Sequence, residues 1–158
     1  MTREQILQRL DDTITRMKEL DESEFFYTHF VKETNKEKCP TICCIAGWYP
    51  KWFPEAELRW IPSGERPDMT LDVSYGKNSC ADRYSYINVM YQLCNWHGLH
   101  LSLVDCLFMG RKLYYGKDYS LEIRASKGMH SSLPEVLLVW ETVRDLVAKG
   151  ELDFYLKL

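Results

Sequence analysis

Two segments near the ends of the chain carry apolar residues at helical spacing, and each opens on a capping box. In the first, Thr2 to Gln5 precedes Ile6, Leu7, Leu10, Ile14, Met17 and Leu20, which predicts a helix over 3–20 with one apolar stripe. In the second, Ser132-Leu133-Pro134-Glu135 opens a predicted helix over 133–149. Its stripe is Val136, Leu137, Trp140, Val143, Leu146 and Val147, and Gly150 ends it. Each stripe calls for a core. With 158 residues and no internal repeat, linker or low-complexity tract, the expected fold is a mainly α (α+β) compact single domain spanning 1–158. About five helices and a few short strands are expected.

The middle of the chain is less regular. Thr41 is expected to cap a short helix in which Ile42, Ile45, Ala46 and Tyr49 share a face, with Pro50 stopping it. Pro54 and Glu55 then open a brief helix carrying Leu58. Residues 32–38 and 62–69 read as loops, and the alternation of Leu71, Val73 and Tyr75 as a strand over 70–75. Periodicity does not type the apolar run over 25–31. A helix begun at Ser79 or Asp82 carries Tyr86, Val89, Met90, Leu93, Cys94 and Trp96 and stops at Gly98. Ser102 is expected to cap another short helix ending at Gly110. Residues 111–131 have no clear period and read as a loop with room for a strand at 119–124, and the tail 152–158 reads as a short edge strand.

Charge and cysteines bound the function. The net charge of −3 argues against general nucleic-acid binding, which draws most of its affinity from a basic excess. No apolar run approaches the length of a membrane span, and the charged N-terminus does not read as a signal peptide, so the cytoplasm is the expected location. The cysteines, at 39, 43, 44, 80, 94 and 106, then read as free buried thiols. Two sharper readings stand beside that one. Cys39, Cys43, Cys94 and His97 would form a Cys3His zinc site, and Cys39, just before a predicted helix, is a candidate nucleophile with His29, His97, His100 or His130 as its base. Neither carries an established signature. No cofactor and no enzymatic activity is expected, because phosphate-loop, dinucleotide and metalloprotease motifs are all missing from the sequence.

The aromatic residues are the more informative class. Ten Tyr, six Phe and five Trp make 13% of the chain aromatic. Trp48, Trp52, Phe53 and Trp60 cluster with Tyr49, and are expected to supply apolar contact if they do not simply fill the core. Residues 111–130 interleave Tyr114 and Tyr115 with Arg111, Lys112, Lys117 and Arg124, an arrangement suited to an acidic partner or an anionic ligand.

The run Cys39-Pro40-Thr41-Ile42-Cys43-Cys44-Ile45-Ala46-Gly47-Trp48 resembles the C-G-T-x-x-C-I-A-G-[HW] motif of a group of small uncharacterised proteins of bacteriophages and some bacteria. Pro40 stands where that group has Gly. The stretch 97–108 is similar to the group's short G-L-x-x-x-x-A-x-x-L-F helix, and Gly150-Glu151-Leu152-Asp153 to its G-E-x-D end. The resemblance implies a phage origin and a shared architecture. Because small phage proteins of this size commonly act by binding host factors, the expectation is an accessory protein that binds and inhibits a host protein, with an antiviral defence component as the expected target. The alternative it leaves open is a sponge that sequesters a signalling nucleotide. Oligomeric state is open as well.

Overall fold

The computed structural model describes residues 1–25, 32–33, 41–42, 45–56, 90–128 and 131–158. Among them are five α-helices and two short antiparallel strand pairs, a mainly α arrangement with minor β structure. Helix α1 (Arg3–Lys18) starts where its capping box places it, with Thr2 Oγ1 accepting from Gln5 N–H and Gln5 Oε1 accepting from Thr2 N–H. It buries Ile6, Leu10, Thr13, Ile14 and Met17, one stripe at i, i+4, i+7 spacing. Helix α5 (Leu133–Lys149) buries Leu133, Val136, Val139, Trp140, Val143, Leu146 and Val147. The two stripes pack together with the helices antiparallel. Lys18 meets Glu141 at 2.7 Å, Arg144 holds Asp11 at 2.8 and 3.1 Å, and Arg3 reaches Asp153 beyond the far end of α5 at 2.6 Å.

Between these helices lie α2 (Ile45–Trp52), α3 (described over 90–97) and α4 (Leu101–Met109). Helix α4 is apolar on almost every side and buries Leu103, Val104, Cys106, Leu107, Phe108 and Met109. A sharp corner at Gly98 joins α3 to α4. Its φ of +68° is left-handed, which favours glycine, and a Cβ there would also push the Met1 sulfur aside, meeting it at 2.8 Å. The C-terminal tail seals this corner: Lys157 N–H donates to Gly98 C=O and His100 N–H to Tyr155 C=O, both at 2.8 Å. Strands β1 (Lys32–Glu33) and β2 (Thr41–Ile42) pair in one ladder. Strands β3 (Leu113–Tyr115) and β4 (Leu121–Ile123) form a hairpin in which Leu113 faces Ile123, Tyr114 faces Glu122 and Tyr115 faces Leu121.

Several local expectations are corrected. Thr41 and Ile42 belong to β2, so α2 begins only at Ile45, and Lys32–Glu33 is strand rather than loop. Pro50 lies inside α2 instead of ending it. One intrahelical bond is lost there, but Phe53 N–H still reaches Tyr49 C=O at 2.8 Å, and the aromatic face of the helix is buried, which outweighs that loss. The cap of α4 is His100 rather than Ser102, because the corner at Gly98 and the bridge from Leu99 to Leu156 set where the helix starts. The tail forms a single 3-10 turn, Asp153–Tyr155, and only Leu156 makes a strand-like bridge. The run 111–131 is more structured than a loop, since it contains both strands of a hairpin. The brief turn expected at Pro54 is a 3-10 helix, Pro54–Ala56. The run after Phe25, residues 34–38, Leu58, the loop 62–69, the strand 70–75 and the start of α3, with Tyr86 and Val89, lie outside the described residues.

Candidate functional site

The aromatic cluster of α2 divides between the core and its edge. Tyr49 is fully buried, Trp48 and Phe53 nearly so, and Trp52 is half-buried. Trp48 stacks on Trp52 with centroids 6.0 Å apart and planes 12° from parallel, and Lys51 Nζ sits 4.7 Å over the Trp48 ring. Phe53 packs on Tyr49 at 5.1 Å and on Trp96 at 5.9 Å. Trp48 and Phe53 therefore serve the core. Trp60 lies outside the described residues, as do Cys39, Cys43, Cys44, His29 and His130.

At the centre of this aromatic packing is a buried polar chain. The Tyr49 hydroxyl lies 2.6 Å from His97 Nε2 and 2.9 Å from Thr13 Oγ1, and Thr13 Oγ1 lies 2.9 Å from the Arg9 carbonyl one turn back along α1. A carbonyl only accepts, so the single Thr13 hydroxyl proton goes to Arg9 C=O. Tyr49 must then donate to Thr13, and its oxygen accepts from His97 Nε2–H. That order fixes the histidine tautomer. His97 Nδ1 is left as a lone pair with no hydrogen-bond partner among the described residues, with the rings of Phe108 and Trp140 5.9 and 5.8 Å away. Burial, and secondarily the positive charge of Arg9, lower the His97 pKa to about 3, so the ring is neutral across the physiological range. Burial also pushes the Tyr49 phenol well above its ordinary value. With each proton committed, the chain ties α1, α2 and α3 into one core.

The thiols on the described elements are buried. Cys94 and Cys106 are free, and burial raises both pKa values, that of Cys106 to about 12. His97, one candidate zinc ligand, has its Nε2 proton given to Tyr49. Among the described residues no cluster of three His, Cys, Asp or Glu side chains is arranged to hold a metal ion, and no helix is long and apolar enough to cross a membrane.

The second region is the outer surface of the β3–β4 hairpin and the tail beside it. Arg111 pairs with Asp105 at 3.0 Å, while Lys112 and Arg124 flank Glu122 at 3.8 and 3.6 Å. Most of the expected basic surplus is thus met by carboxylates close at hand. Lys117 stands exposed at the turn. The rings are the more prominent feature. Tyr114, Tyr119 and Phe154 are exposed by 47, 61 and 76%, and half-buried Tyr155 joins them. Its hydroxyl donates to Tyr114 C=O at 2.6 Å, its ring meets Phe154 edge-on at 5.4 Å, and its phenol pKa is raised by partial burial and by neighbouring Tyr119. Tyr115, half-buried, lines a cleft beside Leu138 and Val139 of α5. The turn carries Asp118 and Tyr119 at φ of +58° and +55°, a left-handed pair of non-glycine residues.

Phe154 and Tyr155 are the surface residues that sequence reasoning missed. Read as strand, the tail would alternate its side chains; in fact Leu152 and Leu156 are buried four residues apart, and Phe154 is left outside. The sequence offered no signal for this, because leucines four residues apart fit strand alternation equally well. Compared with protein-family models, curated proteins and solved structures, the chain matches none.

Proposed function

We propose that the protein is a non-catalytic binding module that occupies a partner protein through the hairpin–tail face. Under the phage resemblance, that partner is a host factor, with an antiviral defence component as the first choice, and binding inhibits it. The observation that carries this reading is the exposure of Tyr114, Tyr119 and Phe154 around the Tyr155 brace. Exposed rings on a braced support give large contact area at little entropic cost, which is how interface anchors work. The ion-paired cations around them, with Lys117 at the turn, act as a polar rim rather than as the main source of affinity.

The test compares proteins retained from host lysate by the wild type and by a Tyr119→Ala/Phe154→Ala variant, quantified by mass spectrometry. Both positions are exposed, so the variant keeps its fold. A host protein bound by the wild type and lost by the variant is the expected result. Identical retention by the two overturns the reading.

A further inference from the structure

The hairpin has two edges, and they differ. On the β3 edge, Tyr155 closes the outward carbonyl of Tyr114 at 2.6 Å. In an antiparallel ladder, residues facing one another point their backbone groups the same way, both toward the partner strand or both away from it. Glu122 faces Tyr114, so its N–H and C=O point out from the β4 edge, and no backbone or side-chain group among the described residues takes them up. Beside that edge, Leu138 of α5 is 64% exposed and Leu121 is 48% exposed. An open backbone edge next to apolar surface is a template for strand addition.

The charges along the edge select the occupant. Glu122 on β4 and Arg124, the residue just past its end, are both exposed with buried Ile123 between them, and their side chains meet only at 3.6 Å. If a second copy of β4 runs antiparallel with Ile123 on a twofold axis, each Glu122 falls opposite the other copy's Arg124. Those opposed residues exchange both backbone hydrogen bonds, and symmetry repeats the pair. Centring the axis on Glu122 instead would oppose like charges. We propose that the protein self-associates through β4, forming a continuous four-stranded sheet across the dimer in the register that pairs Glu122 with Arg124. The proposal uses the strand edge and not the outer ring cluster, although Glu122 and Arg124 also belong to the polar rim of the partner-binding face, and the dimer would display the ring cluster twice.

The test is the molar mass of the full chain by light scattering and sedimentation across a concentration series. The wild type is expected to shift from monomer to dimer with rising concentration. Glu122→Arg alone and Arg124→Glu alone each place like charges opposite one another twice and weaken the dimer about tenfold or more. An equimolar mixture of these two variants restores complementarity at both positions and is expected to recover the dimer as a heterodimer. That recovery also shows that both variants fold. A wild type that stays monomeric at every concentration overturns the proposal, as do single variants that dimerise like the wild type or a mixture that fails to recover.

Discussion

The Tyr49 hydroxyl sits 2.6 Å from His97 Nε2 and 2.9 Å from Thr13 Oγ1, with the rings of Phe108 and Trp140 packed against the imidazole. One oxygen therefore satisfies a donor on α3 and delivers a proton to α1. Buried networks of this kind are stable when every member is paired and costly when one is removed.

Removing that oxygen is the first prediction. Tyr49→Phe keeps the ring but leaves His97 Nε2–H unpaired in an apolar core and deprives Thr13 of its donor. The expected loss is about 2–3 kcal/mol, read as a lower urea midpoint at unchanged slope. Thr13→Val should cost less, because the Tyr49–His97 bond survives. The double variant should cost less than the two single losses added together, since both remove the same chain. Strict additivity would mean the three groups are not coupled.

The His97 environment sets a pH dependence. Its folded pKa of about 3 lies below the ordinary value of 6.5, so between those values the unfolded chain binds the extra proton. Stability from this group is fully present above pH 6.5 and is lost as pH falls toward 3, at up to about 1.4 kcal/mol per pH unit. Thermal melts from pH 7 to 4 should show that decline, and His97→Phe should flatten it. A wild type whose stability is level from pH 7 to 5 contradicts a buried neutral histidine.

The start of α5 titrates separately. Glu135 accepts from Ser132 N–H at 2.7 Å and from the Ser132 hydroxyl at 2.9 Å, and it also accepts the Ser126 hydroxyl. Chiefly through the Ser126 bond, its carboxyl is lowered to about 2. The stability it adds is therefore present above pH 4.5 and is lost as pH falls toward 2, a window below most of the His97 decline. Ser132→Ala should cost about 1 kcal/mol at neutral pH. Glu135→Gln should flatten the acid limb below pH 4.5 while leaving the decline above pH 5 in place, a separation that a pH series of melts resolves.

What was legible in the sequence follows the length and regularity of the pattern. Helices α1 and α5 each carry more than three turns of stripe behind an N-terminal capping box; α5 spans the residues expected, and α1 ends at Lys18, two residues short of the expected Leu20. Helix α4 was expected in nearly the right place with the wrong cap, because a tertiary bridge from Leu99 to Leu156, invisible in local spacing, sets its first turn. Of the β3–β4 hairpin, β4 falls inside the strand expected at 119–124, while β3 stays hidden because it is three residues long and the turn between the strands uses left-handed Asp118 and Tyr119 rather than an Asn-Gly pair. At the candidate site, Tyr114 and Lys117 stand exposed. Trp48 and Phe53 were named with equal weight and lie in the core, because a ring that anchors a partner and a ring that fills a core read alike in a sequence.

The thiols give the last prediction. Cys94 on α3 is 1% exposed and Cys106 on α4 is fully buried, with the Cys106 thiol bonded at 3.8 Å to Ile123 C=O behind the hairpin. Burial raises both pKa values, so at pH 8 almost no thiolate forms at either site, and reagents that need the thiolate have no path to it. Brief treatment of the native protein with iodoacetamide, followed by peptide mass spectrometry, should leave both unmodified, while the same treatment in denaturant should modify both. Their rate of modification in the native protein then reports opening of the core, and Tyr49→Phe should raise it about tenfold for each 1.4 kcal/mol of stability it removes. Fast native labelling of Cys106 would mean that the hairpin does not cover α4 as the structure shows.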